Sequence, residues 1–373
     1  MNQSTQSRNF NPFECRKSTF HSKGILIGCG KVPPDLHGIP IGAWRGGLSL
    51  PWALAEAAKN GWEILSNKIN SNFPSDEIQR ALVLNFSDYG EPGQSIRYEE
   101  LADFQSRIAG LIRQTAALQT VDYWILHNEP NLKGNWNGGE EGYYLMAFAA
   151  AVAIKSELPH ACLMTSMAGL LSLDKEIEDL QQYKGFRNAI DILDGHQYGI
   201  LGGEVENYIP VIAKKVKDAG YGISLTETSP VFYGQLPKFF SNPRNDVGIN
   251  QMLHNGTPLS EIYQCILRTL DLIYPSCIYA PKNAVKREAQ CLELMRRWLL
   301  AAKAADYAFI GPFPPWVPLV LGTYCQEILP NRTEEQVATA IRLLQERLIA
   351  NPWLDEKGEL TPIGEMVKEV FGS

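Results

Sequence analysis

Two glutamates in this sequence sit where chemistry is easiest to arrange. In WILHNEPN, Trp124 to Asn131, an apolar run ends in His127, Asn128 and Glu129 before Pro130 stops regular strand pairing. A second run, YGISLTETSP, carries Glu227 near its end. A single acid at a strand tip usually meets only solvent. Two acids facing one another can divide a reaction, one giving a proton while the other stabilises or attacks the electron-poor centre. Their mutual repulsion pushes one pKa up, so one carboxyl stays protonated and the other ionised. Asn128 beside Glu129 strengthens the reading. Other strand ends offer Asn85, His196, Tyr198 and the aromatic-proline run through Phe313 and Trp316.

The elements that must position these groups alternate along the chain. After a polar leader, 1–23, GILIG reads as a first strand. SLPWALAEAAKNG reads as a helix capped by Ser49 and stopped by Gly61. WEILSNKI is expected as the second strand, SDEIQR as a short helix and ALVLNFSDY as the third strand. Leu101, Phe104, Ile108, Leu111 and Ile112 recur at helical spacing before the fourth strand, VDYWILHNEP. Helices and strands continue through ACLMTSMA, AIDILDGHQYG and YGISLTETSP. A Pro-, Asn- and Gly-rich insertion, 231–286, follows with one helical segment near SEIYQCILRTLDLI. REAQCLELMRRWLLAAKAA, DYAFIGPF and TEEQVATAIRLLQERLIA resume the rhythm.

Eight strands alternating with helices predict an α/β fold with a parallel sheet, closed as a (β/α)8 TIM barrel over 24–373. An open doubly wound sheet would want a third glycine after GCGKVPP, where Pro33 and Pro34 block a helix instead. Catalytic groups of such barrels sit at the C-terminal strand ends, where Glu129 and Glu227 fall.

Composition narrows the partners. The 373 residues include 45% hydrophobic and 20% charged residues, enough for a large core, and the net charge of −7 comes without a basic block for nucleic acid. Seven scattered cysteines show no metal-ligand spacing and suggest no disulfide framework. Neither a signal peptide nor an apolar run long enough for a membrane is visible, so a cytoplasmic protein is expected. His127 and Glu129 are too few for a metal site, and no cofactor is expected.

NEP after the fourth strand and TET after the seventh resemble the clan A glycoside hydrolases, retaining barrel enzymes. The likeness is nearest to the β-xylosidase and α-iduronidase type, with His127 where tryptophan stands in WNEPN. GHQYG resembles the sixth-strand His and Tyr, and NPWLDEKGELTPIGEMVKEVF the closing segment of these barrels. The resemblance implies a general acid/base at Glu129 and a nucleophile at Glu227, acting on carbohydrate without metal or cofactor. Glycoside hydrolysis needs such a pair, about 5–5.5 Å apart for retention. Asn128 is then placed to reach a sugar hydroxyl, Tyr198 to hold Glu227, His196 to contact hydroxyls or the acid/base, and Trp316 to stack on a ring.

The family places an arginine near its second strand. Arg45, read as part of the loop preceding that strand, and Lys68, within the expected strand, are both candidates. His196 reads equally as a structural hydrogen-bonder. His127 is expected to pack against a neighbouring strand and Tyr143 and Tyr144 on a helix core face, while Trp136 is either a loop platform or packing. The insertion, directly after Glu227, is expected over the mouth. A barrel that binds carbohydrate without turning it over is the alternative.

Overall fold

The computed structural model describes residues 24–30, 32–33, 35–75, 77–87, 98–132, 135–198, 205–230, 243–276, 280–313, 333–334, 336–337, 340–341, 344, 352–355 and 357–372. The leader 1–23 and Trp316 lie outside them. Among the described residues nine strands make one parallel sheet: β1 (Ile25–Cys29), β2 (Ala43–Ser49), β3 (Gln79–Asn85), β4 (Tyr123–Leu126), β5 (Cys162–Met164), β6 (Met167–Ala168), β7 (Ile192–Tyr198), β8 (Gly222–Ser229) and β9 (Phe309–Pro312). β1 pairs with β9, and the ring closes where β5 meets β7 at Met164 and Ile192. β6 then takes over beside β7, so β5 and β6 are two pieces of one stave in an eight-stave barrel.

Period-two alternation divides the staves between two cores. Ile27, Ala43, Val83, Ile125, Met164 and Phe309 fill the barrel interior. Their neighbours Leu26, Trp44, Leu82, Trp124, Leu163 and Ile310 face outward under the helices. The helices among the described residues are α1 (Leu50–Asn60), α2 (Trp62–Asn70), α3 (Tyr98–Gln114), α4 (Gly139–Glu157), α5 (Ser172–Gln182), α6 (Lys184–Ala189), α7 (Val205–Asp218), α8 (Pro243–His254), α9 (Leu259–Ile273), α10 (Ala284–Ala304) and α11 (Pro362–Gly372). As expected, Ser49 caps α1 by accepting from Trp52 N, and Gly61 ends it at a φ of 92°. No helix among the described residues is long and apolar enough to cross a membrane.

The second strand is not where composition suggested. WEILSNKI is helix α2: its Leu65 and Ile69 are buried four residues apart, a helical spacing that outweighs the strand-like bulk. The true second stave is β2, in GAWRGGLS, and Arg45 belongs to it rather than to a loop. The described part of SDEIQR contains no helix, and its Gln79 and Arg80 open β3.

The described part of the insertion holds two helices, α8 and α9, where one segment was expected, and α10 begins at Ala284, inside its presumed end. Pro243 opens α8, a position where its missing amide costs nothing. Leu259, Ile262, Ile266 and Leu270 line one face of α9 and meet Leu253, Val337, Ala340 and Leu344 in a small core separate from the barrel's. Each such side chain buried contributes about 1.5–3 kcal/mol. Tyr198, at the end of β7, packs against this second core.

Candidate active site

Strict alternation would put Glu227 on the outer face of β8 with Ile223 and Leu225. A bulge prevents it. Between Leu225 and Thr228 the strand carries one residue more than β9, whose register advances only from Ile310 to Pro312. The pairing with β7 shifts in the same stretch. The extra residue turns Glu227 into the mouth. Gly311 makes this possible, because a Cβ there would collide with the Thr226 carbonyl.

A comparable inversion places the other acid. After β4, His127 has a φ of 70° and Glu129 a φ of 48°, left-handed values that cost non-glycine residues about 1–3 kcal/mol each. The turn sends His127 outward, against Phe86, Trp136 and Tyr143, and brings Asn128 into the mouth. Neighbouring staves hold it: His127 N donates to Leu84 O at 3.1 Å and Glu129 N to Ser166 O at 2.9 Å. Asn128 N donates to Asn85 Oδ1 at 3.2 Å.

Arg45 donates from one guanidinium nitrogen to Glu227 and from the other to Asn128. Tyr198 O–H donates to the second oxygen of Glu227. His196, fully buried, lies 2.7 Å through Nδ1 from Glu129 and 3.6 Å from Glu227. One oxygen from each glutamate and an imidazole nitrogen all lie within 4.8 Å of one another. The carboxyls are therefore close enough for a pair acting on one bond.

The electrostatics distinguish the groups. Burial opposes the charge on Glu227, but His196, Arg45 and Tyr198 outweigh it and hold its carboxyl below the usual range. Burial likewise works against a charged His196, yet Glu227, Asp194 and Glu129 push its pKa up to about 9. Asp194 lies 3.3 Å from the other ring nitrogen and accepts from Ser224 Oγ, Thr226 N and Thr226 Oγ1 at 2.7, 2.9 and 2.6 Å. Burial and then the Glu227 charge raise the pKa of Tyr198, keeping it a donor at neutral pH. The spacing of Glu129, His196 and Glu227 would also admit a metal ion. Against this stands the positive charge that Arg45 and a protonated His196 already provide.

A cavity of about 480 Å³ opens beside Glu227, lined by Arg45, Asn72, Asn85, Asn128 and Phe313 among others. That size and mixed lining suit a small polar ligand. Glu129, Glu227, Asn128, His196, Tyr198 and Arg45 thus converge as a group. Lys68 does not: it lies on α2, half-exposed, and pairs with Glu56 at 2.5 Å. Trp136, Tyr143 and Tyr144 are buried packing residues. Asp194 and Cys29 were missed. Asp194 shares its strand face with His196, a period-two signal that could have found it. Cys29 lines the cavity, and burial holds its thiol far above the usual range.

No protein-family model matches the sequence, and no curated protein does. Among solved structures the chain is similar to the GH53 catalytic domain of Ignisphaera aggregans, with 14% identity, a TM-score of 0.51 and 98% of each chain covered. It is similar to an endo-1,4-beta-xylanase from Caldicellulosiruptor owensensis, with 10% identity, a TM-score of 0.53, and 92% of this chain and 96% of that one covered. A family 39 glycoside hydrolase from Bacteroides cellulosilyticus WH2 gives 10% identity and a TM-score of 0.53, covering 94% of this chain and 64% of that one. These likenesses establish the (β/α)8 barrel, and the proteins that share it here are glycoside hydrolases.

Proposed function

We propose that the protein is a retaining glycoside hydrolase. The observation that carries this is the pair itself: Glu129 and Glu227, at the ends of the fourth and seventh staves, present oxygens within 4.8 Å of each other. Glu227 is held ionised by Arg45, Tyr198 and His196, as a nucleophile must be. Its carboxylate attacks the anomeric carbon while Glu129 protonates the departing oxygen, leaving a glycosyl ester on Glu227. Glu129 then takes a proton from water, which attacks the same carbon and releases Glu227. Asn128, oriented by Arg45, meets a sugar hydroxyl, and the helical insertion walls the mouth. No cofactor is needed.

A carbohydrate-binding barrel without turnover is the alternative, and it would be favoured if no cation on the second stave met Glu227. Arg45 on β2 removes that argument. The test is to incubate the protein with a panel of 4-nitrophenyl and 2,4-dinitrophenyl glycosides. The first sugar released from any substrate it cleaves is then followed by proton NMR. The expected product keeps the substrate's anomeric configuration. An inverted first product sinks the retaining mechanism, and sugar binding by calorimetry without any cleavage sinks the hydrolase.

A further inference from the structure

We infer that Asn131 is a positioning residue for the general acid/base, fixing the backbone of Glu129 by a strand-like rung made from its side chain. The inference rests on the assignment of Glu129 to that role. The Glu129 turn is held in left-handed geometry, so it keeps its shape only while both flanks are tied. Leu84 and Asn85 tie it to β3. On the other flank β4 has ended at Leu126, and after the bond from Glu129 N to Ser166 O the next residue, Pro130, has no amide to continue the pairing.

Asn131 supplies the next tie. Its Oδ1 accepts from Ala168 N at 2.9 Å, and its Nδ2 donates to Ala168 O at 2.9 Å. One carboxamide thus meets the donor and the acceptor of a single residue of β6, as an adjoining strand would. Nδ2 also reaches Ser172 Oγ at 3.2 Å, and that hydroxyl donates to Ala168 O at 2.7 Å. Together with the bond from Glu129 N to Ser166 O, the turn is pinned to β6 and the residues just before it. His196 holds the carboxyl end of Glu129, and Asn131 holds the backbone end. Asn131 itself is exposed, so removing its amide empties no core and leaves the barrel intact.

The experiment uses aryl glycosides of one sugar, graded from phenyl to 2,4-dinitrophenyl, with wild type, Asn131→Ala and Glu129→Ala. A displaced acid hurts only where protonation matters. For Asn131→Ala, kcat/KM on the phenyl glycoside is expected to fall about 10- to 100-fold. On the 2,4-dinitrophenyl glycoside it should stay within about threefold of wild type. A uniform fall, or none, overturns the inference. If Glu129→Ala shows no leaving-group dependence either, the acid/base assignment is at fault. The positioning role is then judged on hydrogen exchange, where Asn131→Ala is expected to speed amide exchange at residues 127–132 and spare 79–85. Unchanged exchange at 127–132 overturns it whatever the kinetics.

Discussion

Glu227→Ala is expected to lower turnover of any glycoside substrate by at least about 10⁴-fold, the scale on which removing a covalent nucleophile acts. No glycosyl ester can then form. The geometry adds a second expectation. The lost carboxylate leaves a space beside the Arg45 guanidinium, the Tyr198 hydroxyl and His196, donors that already favour an anion there. Azide is expected to enter that space and restore activity on 2,4-dinitrophenyl glycosides. It attacks from the face Glu227 used, so the glycosyl azide should have the opposite anomeric configuration to the substrate. Full activity in Glu227→Ala, or an azide product of retained configuration, would take the nucleophile away from this residue.

Arg45→Met is the second large effect, with an expected fall of about 10²–10³-fold in kcat/KM near neutral pH, as for other fixed charges lost from an active site. Its pH dependence carries the sharper information. In the proposed mechanism Glu227 reacts as the carboxylate, so activity is expected to be lost as pH falls through its pKa in the folded protein. Despite burial, His196 and Arg45 hold that pKa below the usual range. Removing Arg45 raises it, and the acid limb of the kcat/KM profile must move to higher pH. Lys68→Ala is the control: its ammonium lies on the outer helix beside Glu56, and the profile should not change. An acid limb that stays put in Arg45→Met, or moves in Lys68→Ala, would contradict the charge arrangement.

The strand ends were legible where side chains follow simple periodicity. β4 and β7 announce themselves by apolar runs, and the residues closing them, Asn128, Glu129, His196 and Tyr198, do converge. β2 was hidden because its inward residues offer no row of bulky side chains. Ala43 is small, Arg45 serves the mouth and Gly47 has no side chain, so GAWRGGL offers no inward row of bulky groups. WEILSNKI misled in the opposite sense, having strand-like composition on a helical period. Glu227 was found by position, although its orientation depends on a bulge in β8 that no alternation pattern contains. The left-handed turn at His127 and Glu129 was equally invisible, since neither residue is the glycine that usually marks one.

The small core built by α8, α9 and the residues Val337, Ala340 and Leu344 has a consequence for heating. Its side chains form a cluster distinct from the barrel's, so the two can open as separate cooperative units, and the smaller one has less to lose. Tyr198 belongs to both worlds, with its ring against the small core and its hydroxyl on Glu227. Fraying of the helical unit is therefore expected to reach the Glu227 carboxylate while every stave is still paired. Thermal inactivation is expected several degrees below the loss of far-ultraviolet circular dichroism, and reversible on cooling from that interval. A single coincident transition would mean that the barrel and the small helical core melt as one body.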